Sequence, residues 1–583
     1  MTARLRAHAR LFVRHGRRVA FGVVAALAIV GPSEAGDGPQ FREARSSTVA
    51  VLNDADVETY RTIFTLQDQG QFAEASALAS RLGNDSLMGY VRQREILAPG
   101  AEPKASELAA WMAAYADLPG ADEVYARAAS TGESIARPEP RAFRSRLVLG
   151  KPEAVSRRAP STEARSANAR IAALIKSGQP EEALDALNAA RAAFGPNERD
   201  DATLAIAASY YAEGLDDEAY ALASEVADRN RREVPLADWN AGLAAWRMGD
   251  IERAEPHFAA LARVETANPA LRAAGAFWAA RADLRLRHPE RVGPMLEIAA
   301  EAPRTFYGVL ALRQLGRELP FKWNLPALDA KTWALFQPYP AVARAVALMQ
   351  VGRPDLAETE LLRVLGKLPQ SLDPALLVVA SKLQLSAVRA KIVESAQFEG
   401  LDGARYPVPE IVPQGGFTLD PALLYAFMHK ESGFTNGATS RAGARGLMQI
   451  MPNTARHVVG GSEAQLKSKL FDPSFNLHVA QAYLKELMGL VAPHGNLYML
   501  AVAYNGGPGN LTRWRAKLGS DDPLLFIESV PSAETRTYIE CVLTNYWAYR
   551  SRLGEDLSSL DAAAAGEWPV YDTDAKVIKV GQR

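Results

Sequence analysis

A chain of 583 residues with 66 Lys+Arg against 67 Asp+Glu has a formal net charge of -1, without the basic excess that binding to a phosphate backbone demands. Nucleic acid is therefore not an expected partner. A composition of 48% hydrophobic and 23% charged residues is that of a folded globular chain, and the length asks for more than one core.

At the N-terminus Arg4, Arg6, Arg10, Arg14, Arg17 and Arg18 precede an apolar run from Val19 to Val30. That run is shorter than the roughly 20 residues a bilayer core requires. Ser33 and Ala35 supply the small residues of a signal-peptidase site, so residues 1–35 read as a signal peptide cleaved after Ala35. The residues around Arg17-Arg18 fit a twin-arginine signal poorly. The expectation is a periplasmic protein with no membrane association after cleavage. Cys541 is the only cysteine, so no intrachain disulfide can form, and it lies too far from the signal to accept a lipid.

Residues 36–400 are rich in Ala and Leu, with apolar residues at helical spacing. Within them a glycine followed five positions later by an alanine recurs as "GQFAEA" (Gly70, Ala75), "GQPEEA" (Gly178, Ala183), "GLDDEA" (Gly214, Ala219), "GDIERA" (Gly249, Ala254) and "GRPDLA" (Gly352, Ala357). The glycine predicts a left-handed helix stop, and the alanine a close approach of the next helix. Successive glycines stand 36 and 35 residues apart from Gly178 to Gly214 to Gly249, near the period of tetratricopeptide-type helix pairs. An α-helical solenoid presenting a long curved surface is expected.

Proline and glycine crowd into "GLDGARYPVPEIVPQGG" (400–416), which reads as a linker into a second domain over 401–553. Asp420-Pro421 starts a helix there, the acid as cap and the proline in the first turn. Leu424, Phe427 and Met428 mark its apolar stripe, and Glu431 falls on the same face. Gly433 stops the helix just beyond, so Glu431 also sits at the negative end of the macrodipole. Desolvation and the dipole both favour a protonated carboxyl, as a general acid near neutral pH requires. A structural ion pair is the alternative role for such a glutamate.

Downstream, "SGFTNGATSRAGAR" (432–445) is a small-residue loop and "GLMQIMP" (446–452) reads as a short extended piece placing Gln449 and Met451 on one side. "AYNGGP" (503–508) is a helix end presenting Tyr504 and Asn505. "ETRTYIECVL" (534–543) opens a helix with Ile539, Val542, Leu543 and Tyr546 as its core stripe. Residues 554–583 form a tail with no readable chemistry. Between Ser432 and Gly461 there is no Asp or Glu, so the second carboxylate of paired-acid glycoside hydrolysis is not supplied locally. Glu463, Asp472 and Glu534 remain open as partners from elsewhere in the fold.

In this order and spacing, Glu431 to Pro452 with "AYNGGP" and "ETRTYI" resemble the catalytic domain of the soluble lytic transglycosylases, the large class with a doughnut-shaped helical superstructure. "FYGVLALRQLG" (306–316) is similar to a segment of that class's helical region. The resemblance implies an all-α fold: an N-terminal α-superhelical, TPR-like solenoid followed by a lysozyme-like catalytic domain. It implies peptidoglycan glycan strands as substrate, cut without water at the β-1,4 bond between N-acetylmuramic acid and N-acetylglucosamine. Glu431 would protonate the glycosidic oxygen and then take the proton of the muramic acid C6 hydroxyl, closing a 1,6-anhydro ring.

By the same resemblance Ser440 lies near the N-acetylmuramic acid, Gln449 and Met451 in the substrate groove, Tyr504 beside the acid, and Glu534 at the second acidic position. Met451 can instead be core packing, Glu534 a helix-dipole partner, and Asn505 a loop-shaping residue rather than a sugar contact. A phenol such as that of Tyr504 beside a buried carboxyl is expected to orient it by a hydrogen bond. Thr435-Asn436 replaces the Asn-Pro common in the family, which leaves that loop's conformation open. His429 reads as a helix-surface residue. No metal-ligand cluster or phosphate-cradling loop is present, so no metal and no cofactor are expected. A goose-type lysozyme hydrolase and a non-catalytic wall-binding scaffold are the alternative functions.

Overall fold

Left-handed glycines set the rhythm of the first two thirds of the chain. Gly70, Gly178, Gly214, Gly249 and Gly352 have φ of 78°, 71°, 85°, 80° and 78°. In each case the next residue's N–H reaches back to the carbonyl five positions before it, as in Gln71 to Leu66 and Leu215 to Tyr210, closing the helix end. The alanines that follow, Ala75, Ala183, Ala219, Ala254 and Ala357, are at most 1% exposed, because the incoming helix packs there without room for a larger side chain.

The chain's structure, a computed structural model, describes residues 49–131, 135–138, 161–326, 328–395, 400–491, 495–518 and 521–571. The expected signal peptide and the last residues of the tail lie outside these. The described elements are helices, with only isolated β-bridges besides. None of the described helices is long and apolar enough to cross a membrane.

One hydrophobic cluster joins the first helices, from Asp54–Asp68 to Ala121–Ala129, to helices Pro340–Gln350, Pro354–Val364 and Asp373–Lys382. Gln350 ties that junction: its Oε1 accepts from the N–H of Val51 (2.9 Å) and Leu52 (3.0 Å), and its Nε2 donates to the carbonyl of Leu52 (2.9 Å). The solenoid's beginning thus packs on its end. A second cluster runs without a break from Ile171 through Phe306 into the helices beyond Asp420. At this seam Phe306 stacks on Trp547 with centroids 5.7 Å apart, and Tyr307 donates to buried Glu528 at 2.5 Å.

The stretch 400–416, linker-like in composition, is pinned. Asp402 is 1% exposed, accepts from Arg304 at 2.7 Å and from the Lys322 N–H at 2.9 Å. Arg389 donates to the carbonyls of Gly403 and Ala404, and Arg552 to that of Gly403. Beyond it come helices Pro421–Ser432, Pro452–Val459, Glu463–Lys469, Pro473–Leu490, Leu497–Gly506, Pro508–Leu518, Pro523–Ser529 and Ala533–Leu553. After Leu553 the chain is structural too. Helix Ser558–Ala564 docks on helix Phe306–Gln314, Val570 bridges Asn496, and the Tyr571 hydroxyl accepts the Asp420 N–H at 2.8 Å.

Candidate active site

Helix Pro421–Ser432 carries the candidate acid, and its ends are built as the sequence dictates. The Asp420 carboxylate accepts the N–H of Ala422 at 2.7 Å, with Pro421 in the first turn. Gly433 caps the far end at φ 55°, its N–H returning to the carbonyl of His429. Pro421 through Met428 are buried, while Glu431 in the last turn is only partly exposed.

Helix Ala533–Leu553 packs along this helix and sets the environment of the carboxyl. Ile539, Val542, Leu543 and Tyr546 are at most 1% exposed and form its inner stripe. Tyr538, 3% exposed, donates its hydroxyl to Oε1 of Glu431 at 2.5 Å. Burial pushes the Glu431 carboxyl up to about 7; the Tyr538 hydrogen bond and the Lys430 charge oppose the rise, and the Glu534 charge adds to it. The partial exposure and the large desolvation fit together, since a carboxyl can be open on one side and apolar on the others. Phe427 forms that apolar wall, its ring 4.8 Å from Tyr504 and 6.2 Å from Tyr538.

Tyr504 differs from the expectation. Its hydroxyl donates to the Met448 carbonyl at 2.8 Å, so it braces the facing loop, and the carboxyl is oriented by Tyr538 instead. Tyr504 remains close enough to Glu431 for the carboxylate's charge, after burial, to raise its phenol well above the usual value. Tyr538 was legible only as a helix residue of "ETRTYI", because nothing in one helix says which residue of another it will meet.

The loop that Tyr504 braces is a compact knot rather than an extended piece. Gly446 to Gln449 turn sharply, Arg445 and Ile450 exchange both backbone hydrogen bonds, and Gln449 adopts φ 47°. The alternation expected of Gln449 and Met451 does not apply to a turn. Gln449 donates Nε2 to the carbonyls of Gly446 (2.8 Å) and Ala438 (3.2 Å), and Met451, 37% exposed, precedes helix Pro452–Val459. Ser440 accepts the Ala444 N–H on its Oγ at 3.0 Å, closing the turn before the knot.

Asn476, which the sequence reading did not single out, holds this knot from behind. Fully buried, it accepts from Met448 N–H at 2.9 Å and donates to the carbonyls of Arg445 (3.0 Å) and Leu470 (2.9 Å). A Cβ on Gly446 would lie 2.2 Å from the Leu470 carbonyl oxygen, so only glycine fits beside it.

Asn505 accepts the Thr535 hydroxyl at 2.8 Å, tying the exit of helix Leu497–Gly506 to the start of helix Ala533–Leu553. Glu534 is exposed in the first turn of that second helix. Of the other candidate acids, Glu463 is ion-paired with Lys467 at 2.9 Å and Asp472 caps helix Pro473–Leu490 through the Phe475 N–H at 2.7 Å. Neither contributes to the environment of Glu431, whose one acidic neighbour acting on its charge is Glu534.

His429 is not a surface residue. Its ring packs on Tyr406 and Phe434 at 5.5 and 5.6 Å, and burial together with Arg405 and Arg389 pushes it down to about 3, so it is neutral. No group of three or more His, Cys, Asp or Glu arranged to hold a metal occurs among the described residues.

Residues 411–526 match the family model for the transglycosylase SLT domain. The chain is 32% identical over 168 residues to the soluble lytic murein transglycosylase of Escherichia coli, covering 28% of this chain and 24% of that protein. The matched segment thus spans about a quarter of the curated relative. In three dimensions the chain is similar to the 70 kDa soluble lytic transglycosylase from Escherichia coli, with a TM-score of 0.53 and 19% identity, covering 89% of this chain and 100% of that one. A structure of an inactive mutant of lytic transglycosylase Slt from Pseudomonas aeruginosa gives a TM-score of 0.55 and 17% identity, covering 91% and 92%. The fold is therefore a helical superhelix followed by a lysozyme-like domain.

Proposed function

From a chain that carries an SLT domain on the fold of the soluble lytic transglycosylases, we propose a periplasmic peptidoglycan lytic transglycosylase that cuts glycan strands between N-acetylmuramic acid and N-acetylglucosamine. Residues 401–553 are the catalytic domain, 36–400 the solenoid that guides the strand, and 1–35 the export signal. The reading rests on one observation: a partly exposed carboxyl, pushed up to about 7 and held by Tyr538, has Glu534 as the one acidic neighbour acting on it.

Such a carboxyl is protonated often enough at neutral pH to act as a general acid and ionised often enough to act as a base. In the first step Glu431 gives its proton to the bridging oxygen as the bond from C1 breaks. In the second, the carboxylate takes the proton of the C6 hydroxyl while that oxygen bonds to C1. No water enters, and Glu431 ends as it began. Ser440, Gln449, Met451 and Asn505 line or shape the groove, Tyr504 supports its knot, and Glu534 adjusts the acid through its charge.

The test is digestion of purified sacculi and mass analysis of the products. Ends lighter by one water than reducing ends support the anhydro product. Reducing ends would instead make the protein a hydrolase, and intact sacculi would make it a binding scaffold. Glu431→Gln keeps volume and polarity while removing the transferable proton, so it should lower release by about 100-fold or more and retain glycan binding.

A further inference from the structure

Lys430 occupies a position that the acid chemistry does not use. It precedes Glu431 in the last turn of helix Pro421–Ser432, is partly buried, and places Nζ 5.9 Å from the ring centroid of Tyr538. That same ring carries the hydroxyl that donates to Glu431 at 2.5 Å. A cation at a phenol ring interacts with its negative face and draws electron density from the oxygen, which makes the hydroxyl a stronger donor. Lys430 therefore acts on Glu431 twice, directly as a charge and indirectly through the bond from Tyr538.

We propose that Lys430 is a positioning residue that sets, through its own charge and the ring of Tyr538, the pH range over which Glu431 serves as acid. This rests on the reading of Glu431 as the acid and base of the transglycosylase. The ammonium favours the carboxylate, so it limits how far burial raises the group. The charged and titratable neighbours divide by direction. Tyr538 and Cys541 face Lys430 from helix Ala533–Leu553, and Glu534 of the same helix acts on Glu431 with the opposite sign. Tyr504 feels Glu431 from helix Leu497–Gly506. On its own helix Lys430 acts on His429, which also faces Arg389 and Arg405 and stays neutral.

The experiment is the pH profile of kcat/KM on sacculi for the full chain, comparing wild type with Lys430→Met and Lys430→Arg. Methionine keeps the apolar stem and removes the charge. Lys430→Met should move the alkaline limb upward, so that the fraction of optimum activity left two pH units above the wild-type midpoint is roughly two- to fivefold greater than in wild type. Lys430→Arg should restore the wild-type limb. The shift should shrink in a Tyr538→Phe background, where the path through the ring has lost its hydroxyl.

Superimposable profiles for an active wild type and Lys430→Met would overturn the proposal, as would a uniform loss at every pH, which is the signature of a lysine that only binds substrate. An inactive wild type would overturn the transglycosylase reading itself, and with it the inference. Circular dichroism of each variant separates loss of fold from either outcome.

Discussion

The hydroxyl of Tyr538 donates to Oε1 of Glu431 at 2.5 Å, across two helices whose residues are 107 positions apart. This bond stabilises the charged carboxyl, whereas burial stabilises the neutral one, and the balance leaves the group at about 7. Tyr538→Phe removes the donor without removing the ring. We expect kcat to fall roughly tenfold to a hundredfold and the alkaline limb to move up, because the carboxylate loses its partner. Stopped assays across pH on folded variant protein read both effects.

Tyr504→Phe should behave differently, because the Tyr504 hydroxyl is spent on the Met448 carbonyl at 2.8 Å. Leaving that buried acceptor unpaired should cost about 1–3 kcal/mol of stability. The pH limbs should stay in place. Thermal melts beside the same pH profile distinguish the brace from the acid's partner, and a limb shift as large as that of Tyr538→Phe would assign Tyr504 to the carboxyl after all.

Glu534 is exposed, and its charge pushes Glu431 upward. Removing it as Glu534→Gln should therefore move the alkaline limb down, the opposite direction to Lys430→Met, with optimum activity kept within about tenfold. If Glu534 were a second catalytic carboxyl, the variant would be as inactive as Glu431→Gln. Parallel measurement of muropeptide release by the two variants decides between these outcomes.

The raised carboxyl also has a consequence for stability. A carboxyl whose value in the fold, about 7, lies above its unfolded value near 4.3 adds stability that is fully present below about pH 4. That contribution is lost as pH rises through 7, because the ionised group is then buried at a cost. Glu431→Gln does not titrate, so its melting temperature relative to wild type should climb between pH 5 and pH 8, by the equivalent of about 1–3 kcal/mol. A difference that stays flat over this range would show that Glu431 is already ionised at pH 5.

Gly433 combines a left-handed backbone with a close neighbour, since a Cβ there would stand 3.0 Å from the Ala390 side chain of the solenoid. Gly433→Ala should cost about 1–2 kcal/mol and disturb the loop that begins two residues after Glu431. Chemical unfolding gives the first quantity, and a fall in kcat at unchanged optimum pH reads the second.

The sequence by itself determined the helix ends and the apolar face on which Glu431 lies. The glycines of the solenoid, Asp420-Pro421 and Gly433 fix helix ends through local backbone chemistry, which needs no tertiary contact to be read. Helical spacing likewise put Glu431 on the apolar face, so its protonated tendency was already legible. Local rules failed where partners come from distant chain. They named Tyr504 rather than Tyr538 as the phenol on the acid, drew a turn as an extended piece, left His429 on the surface, and passed over Asn476. Nor could they show that the linker-like stretch 400–416 is tied to the solenoid, where Asp402 is held by Arg304 from nearly 100 residues earlier. A hydrogen bond between two helices depends on their rotation and register, and these are set only when the shared core from Ile171 to Tyr571 packs as one body.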